Sequence, residues 1–283
     1  MYVCGQKELK QRIESLIERD KFPRFCIFTS PEGFGKKVMS EWTSKKLGCT
    51  FVPCGTSIDD VRDTISKAYN TVAKTLFMIF DADDMSVGAK NALLKVTEEP
   101  PNDAYFIMTV QNLSNVLPTI ISRATVFHLN NYSVIDLKEY AKTMDLSLRD
   151  KTEKIAYQIS TCPKDITICN SIDVIGLYDL ADKFVQNIGF AKIYNEFKIS
   201  SSLNVKKDED DKFDPVLFMR CVMLVCESSM KEKCSREDYE AFAKIIKQTS
   251  KHLSELCQKG SNKQMILDNW ILNTHLDVSG GAI

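Results

Sequence analysis

The sequence has almost no net charge, very little histidine and no long apolar run. Lys and Arg total 37 against 38 Asp and Glu over 283 residues, a formal charge of −1. A chain that bound DNA alone through a broad basic surface would be far more positive. Any nucleic-acid contact must therefore be local or supplied by partner subunits. No stretch approaches the roughly 20 apolar residues that cross a bilayer, so no membrane association is expected. The opening MYVCGQKELKQRIESLIERDK mixes apolar and charged residues too finely for a secretory signal. The three histidines (His128, His252, His275) lie far apart, and no pair among the ten cysteines has C-x-x-C spacing. A zinc site needs convergent ligands at short spacing, so no metal site is expected. Several cysteines fall inside apolar runs (FCIFT, RCVMLVC), where a reduced thiol is a small core hydrophobe. A cytoplasmic, reduced protein is the expectation.

What is present is a change of pattern along the chain. Up to about residue 130, apolar strand runs alternate with amphipathic helices: a helix over 6–19, FCIFT (25–29), a helix over 38–46, a short strand at 51–52 and a helix over 58–73. LFMIF (76–80), a helix over 86–98 stopped by Pro100-Pro101, YFIMTV (105–110) and ATVFHL (124–129) follow. LFMIF is fully apolar, as a central strand covered on both faces would be, and the strand–helix alternation indicates a parallel sheet wrapped by helices. Beyond it the chain is helical: short helices over 133–195, a charged connector KKDEDDK (206–212), then longer helices over 213–232 and 235–258 and the segment MILDNWILNTHL. Apolar residues of the helix over 213–232 (Phe218, Val222, Leu224, Val225) serve either an internal core or an assembly surface.

Ser30-Pro31-Glu32-Gly33-Phe34-Gly35-Lys36-Lys37 joins a strand to a helix. In that context backbone N–H groups and a helix N-terminus can cradle phosphates while a lysine reaches them. The pattern G-x-x-x-x-G-K-[ST] is met at Gly35 and Lys36 and missed at Ser30 and Lys37. The second miss matters more. The hydroxyl belongs to a Mg²⁺ ligand, whereas an ammonium has no lone pair and repels the metal. Acids follow the apolar strand in Asp81-Ala82-Asp83-Asp84-Met85, but their register cannot be fixed from spacing alone.

Asn91-Ala92-Leu93-Leu94-Lys95, Glu98-Glu99-Pro100-Pro101 and Leu117-Pro118-Thr119-Ile120-Ile121-Ser122-Arg123 occur in this order between residues 76 and 127. The region resembles the AAA+ subunits of bacterial DNA polymerase clamp loaders, with the delta-prime kind the nearest in look. The resemblance implies an α/β AAA+ module, a five-stranded parallel αβα sheet over 1–130, followed by a helical lid over 131–195 and a helical collar over 196–283. Aligned on Ala82-Asp83-x-Met85, the family's metal-binding Asp falls on Phe80 and its catalytic Glu on Asp81. Its second sensor arginine falls on Lys164 of Cys162-Pro163-Lys164-Asp165. The cysteine of its Ser-Arg-Cys motif falls on Ala124, and its zinc module is missing.

These departures imply a subunit without ATP hydrolysis of its own, a stator arm in a hetero-oligomeric ring that loads the sliding clamp on primed DNA. Arg123, with Ser122, would serve in trans as an arginine finger for ATP and Mg²⁺ held by a neighbouring subunit. Gly33, Gly35, Lys36, Lys37 and Lys164 would form a degenerate nucleotide site, its occupancy left open. Lys90 and Lys95, set away from the Ala89/Ala92/Leu93/Val96 core face of their helix, are candidates for backbone contacts to primer-template DNA within the assembled loader. Two other functions stay open: an active clamp-loader ATPase motor, and an AAA+ adaptor or DNA-binding module unrelated to replication.

Overall fold

The computed structural model describes residues 3–101, 103–148, 150–188, 198–199, 203, 214–231, 234–258 and 260–280. These fall into two compact units, Met1–Leu137 and Lys138–Ile283.

The first unit is an α/β layer structure. Its elements are α1 (Lys7–Glu18), β1 (Phe25–Thr29), α2 (Lys36–Leu47), β2 (Thr50–Cys54), α3 (Ile58–Asn70), β3 (Thr75–Ile79), α4 (Val87–Ala92), α5 (Leu94–Glu98), β4 (Ala104–Val110), α6 (Pro118–Ile121) and β5 (Thr125–His128). A further helix, α7 (Val134–Thr143), spans the division between the units. The five strands are ordered β2-β3-β4-β1-β5, and every pairing is parallel. Every residue of β1, β3 and β4 is buried, because helices cover both faces of the sheet and leave the interior strands no polar side. Phe106 of β4 stacks on Phe25 at 5.9 Å and on Phe77 at 5.4 Å, tying three adjacent strands together on one face. β2 runs longer than residues 51–52. It tolerates Pro53 because it is an edge strand and one of its sides needs no N–H donor.

The expected helix over 86–98 is two helices. The break is at Leu93, whose N–H reaches back only three residues to the Lys90 carbonyl, at 3.2 Å. This tightened turn separates α4, which carries Lys90, from α5, which carries Lys95.

The second unit contains α8 (Asp150–Ile159), α9 (Pro163–Ser171), α10 (Val174–Asn187), α11 (Pro215–Lys231), α12 (Arg236–Leu256) and α13 (Lys263–Ser279). Phe184, Phe218 and Trp270 form its aromatic centre, with ring centroids 4.9 to 6.0 Å apart. The buried indole Nε1 of Trp270 donates to Thr249 Oγ1 at 3.1 Å, as a buried polar ring atom requires. Phe218, Val222 and Val225 lie wholly in this core, and Leu224 packs partly buried against it. One cluster unites Ala156, Phe184, Phe218 and Ile271, so residues on both sides of the expected 195/196 boundary share a core. KKDEDDK (206–212) lies outside the described residues, as do the last three residues of the tail. Among the described residues, no helix is long and apolar enough to cross a membrane.

Candidate functional site

The loop between β1 and α2 stands at the carboxyl edge of the sheet, beside the ends of β4 and β5. Gly33 and Gly35 take left-handed φ values of 87° and 82°, which a residue with a Cβ adopts only under strain. They turn the chain sharply, and Gly35 caps α2. The loop also closes on itself. The Lys36 side chain is buried, and its Nζ donates to the carbonyls of Ser30 at 2.6 Å and Pro31 at 3.0 Å. From outside, the Tyr132 hydroxyl donates to the Phe34 carbonyl at 2.7 Å. An open depression of about 560 Å³ adjoins the loop, lined among others by Thr29, Ser30, Phe34, His128 and Asn130.

The next position decides what the loop can do with a metal. The ammonium of exposed Lys37 lies over the ring of Phe80, 5.3 Å from its centroid. An ammonium over an aromatic face is held by the ring quadrupole, worth about 0.5–1 kcal/mol at an exposed site. Thus the two positions expected to carry a hydroxyl and a carboxylate for Mg²⁺ do meet, but as a cation and a hydrocarbon face. Neither of these two side chains supplies an oxygen to a metal. Asp81 follows in the left-handed region at φ 47°. Its N–H donates to Thr109 Oγ1 of β4 at 2.9 Å.

Asp83 has a structural task. Its carboxylate accepts from the Gln111 and Asn112 N–H groups at 2.7 and 3.1 Å and from Asn115 Nδ2 at 3.2 Å. Lys90 completes the clamp. Its Nζ donates to the Asn115 carbonyl at 2.6 Å and reaches the Asp83 carbonyl at 3.5 Å. Lys90 is only 8% exposed, so the expectation of a solvent-facing lysine is corrected: its ammonium turns inward onto two carbonyls outside its own helix. Lys95 does face solvent, with its ammonium 5.2 Å from the centroid of the Tyr69 ring.

The clamped segment 111–117 leads into α6, which opens with Pro118 at its first position and carries Ser122 and Arg123 at its end. Pro at this place costs no hydrogen bond and starts the turn. The Arg123 guanidinium is at the surface, as expected. Its NH2 nitrogen pairs with Glu98 Oε1 at 2.9 Å, and its NH1 nitrogen donates to the Thr119 carbonyl at 2.9 Å.

Comparison with known proteins accords with this architecture. The family model described as "DNA polymerase III, delta subunit" matches residues 52–133, the stretch from β2 through β5. DNA polymerase III subunit tau of Bacillus subtilis is 26% identical over 156 residues, 44% of this chain and 28% of that protein. DNA polymerase III subunit gamma of Buchnera aphidicola (subspecies Schizaphis graminum) is 25% identical over 171 residues, 50% of this chain and 47% of its own length. Over these stretches the chain is similar to subunits of bacterial DNA polymerase III. It spans between about a quarter and a half of the length of these two relatives. A point variant of Thermotoga maritima RuvB superposes with a TM-score of 0.50 at 13% identity, covering 94% of this chain and 88% of that one. That likeness concerns the fold alone: an α/β AAA+ module with a helical C-terminal region.

The residues picked from the sequence are dispersed. Gly33, Gly35, Lys36 and Lys37 share one loop. Lys164 is the second residue of α9 in the second unit, exposed at the surface. The segment around it is anchored by Asp165, whose carboxylate accepts from the Thr161 and Cys162 N–H groups at 2.8 and 3.2 Å and from Arg220 NH1 at 2.6 Å. Three residues escaped the sequence reading: Asp83 as a clamp, Tyr132 as a brace on the loop and Glu98 as the partner of Arg123. Glu98 lies in a quoted motif, yet its partner is 25 positions away, on a different helix, and no local pattern marks the pair.

Proposed function

We propose that the chain is a delta-prime-like arm of a clamp loader, a subunit that does not hydrolyse ATP and serves a neighbour's ATP site. The observation that carries this reading is Lys37 over Phe80. A hydrolytic site of this type needs an oxygen pair for Mg²⁺, and here both positions are changed to groups that stabilise each other. In this role the chain assembles with other clamp-loader subunits, and the complex acts on the sliding clamp and primer-template DNA in the cytoplasm. ATP and Mg²⁺ belong to the neighbours. The residual loop of Gly33, Gly35, Lys36 and Lys37, with Lys164, serves as structure, and Lys95 gives at most a weak, salt-sensitive phosphate contact.

Arg123 is the residue this chain lends. Its planar fork matches phosphate oxygens. Arginine fingers raise turnover by roughly 10³–10⁵ in other nucleotide hydrolases. The test is Arg123→Ala in a ring reconstituted with its own partner subunits. Clamp- and DNA-stimulated ATPase should fall while assembly persists. Full ATPase with the subunit present would make the arginine structural.

A second reading is a motor ATPase, favoured by the gamma and tau names of the curated relatives. It requires Mg²⁺ handling without oxygen ligands at residues 37 and 80. An adaptor unrelated to replication is separated by co-purification: polymerase and clamp-loader subunits should come down with this chain.

A further inference from the structure

The Glu98–Arg123 pair points to a control on the finger itself. Arg123 engages both terminal nitrogens within its own unit, NH2 with Glu98 Oε1 and NH1 with the Thr119 carbonyl. These nitrogens form the fork that a phosphoryl group must meet. A phosphate approaching the fork also meets the Glu98 carboxylate, a like charge beside its own.

We propose that Glu98 is a positioning residue that latches Arg123 in an inactive arrangement until a neighbour's nucleotide site closes on it. The proposal rests on the finger reading above.

Three features suit Glu98 to the task. It is the last residue of α5, a helix fixed at both ends: Leu93 closes the turn before it, and the Tyr69 hydroxyl donates to the Glu99 carbonyl at 3.2 Å just after it. The carboxylate is thus presented from a fixed backbone. Arg123 leaves from the end of α6, whose approach is fixed by Asp83 and Lys90. The pair is open to water, with side-chain exposures of 53% for Glu98 and 40% for Arg123. Exposed ion pairs are weak, so the latch lowers the competent fraction of Arg123 by no more than about fivefold. A neighbouring polyphosphate overcomes that readily, since it need interact only slightly better with the freed arginine than with the latched one. The device therefore suppresses unstimulated turnover without limiting the stimulated rate.

The experiment uses the assembled ring with its own partners and compares wild type, Glu98→Gln, Arg123→Ala and the double variant. Glu98→Gln is isosteric and exposed, so folding is retained. ATP turnover is measured with and without clamp and primed DNA. The latch predicts that Glu98→Gln raises unstimulated kcat by up to about fivefold with KM for ATP unchanged, leaves the stimulated rate within about twofold, and has no effect in the Arg123→Ala background. A kcat that stays level or falls in Glu98→Gln overturns the latch while the finger stands. An equal rise in the Arg123→Ala background overturns it too, since the effect then bypasses the arginine. Stimulated ATPase undiminished by Arg123→Ala overturns the finger, and the latch with it.

Discussion

The Lys37 ammonium rests over the Phe80 ring at 5.3 Å from its centroid, joining two departures that look independent in the sequence. One sits at the start of α2 and the other follows β3. Parallel strand order brings these two ends to the same edge of the sheet, where a nucleotide-dependent module would place its metal. Each residue suits the other: the ring needs no oxygen partner, and the ammonium needs no metal.

The contact predicts that repair requires both positions. Phe80→Asp alone sets a carboxylate beside Lys37 and forms an ion pair. Lys37→Thr alone leaves a hydroxyl against a ring. Neither single variant should gain Mg²⁺-dependent binding of a fluorescent ATP analogue, and the double variant should bind more tightly than either. Each single change should cost stability by no more than about 1 kcal/mol.

Lys90 and Lys95 should separate in stability and in DNA binding. Removing the buried ammonium with Lys90→Met leaves the Asn115 carbonyl without its charged donor and should cost about 1.5–3 kcal/mol in urea unfolding. Lys95→Glu is a surface change and should cost under about 0.5 kcal/mol. If Lys95 touches a phosphate in the assembled loader, the same variant lowers the salt slope of DNA binding by about one unit.

Asp165 ties the start of α9 to α11 through Arg220, with side-chain exposures of 11% and 17%. Asp165→Ala removes the helix cap and leaves a shielded guanidinium with only the Ile159 carbonyl among these contacts. The expected loss is about 3 kcal/mol, the low end for a broken buried pair, read as a lower unfolding midpoint of the isolated chain. Lys164→Ala, one residue away and exposed, should leave that midpoint unchanged.

The helical unit should weaken in alkali. Burial pushes the thiols of Cys162, Cys169, Cys221 and Cys226 up to about 12 from an ordinary 9.0. A raised thiol pKa favours the neutral form in the folded state. Its stabilising contribution is therefore whole below pH 9.0 and is lost as pH climbs toward about 12. The unfolding midpoint should fall steadily between pH 8.5 and 11. At pH 8 these four thiols should resist alkylation until the chain unfolds, which peptide mapping after labelling would show.

The sheet was legible because its strands are short, mostly apolar and spaced by amphipathic helices; five expected strands correspond to five observed. What local pattern could not convey was contact between distant segments. Lys90 is buried because its ammonium reaches the carbonyls of Asp83 and Asn115, outside its own helix, which no helical period marks. Asp83 reads as a spare acid in an acidic run, yet it holds the segment after β4 through three donors. Arg123 was placed correctly at the surface, but its partner Glu98 belongs to another helix. Lys36, expected to reach outward to phosphate, turns back onto two carbonyls of its own loop, the arrangement that satisfies a buried ammonium without a ligand.

On the proposed reading, this chain has no metal-dependent turnover of its own. The most direct measurement is ATP hydrolysis by the purified chain with Mg²⁺ present and absent, beside Lys36→Ala. The account predicts no turnover above background in any of these, and a Lys36→Ala chain that still supports a reconstituted ring, its loop destabilised by about 1.5–3 kcal/mol per lost charged hydrogen bond at most. Mg²⁺-dependent turnover by the isolated chain that disappears in Lys36→Ala would contradict it.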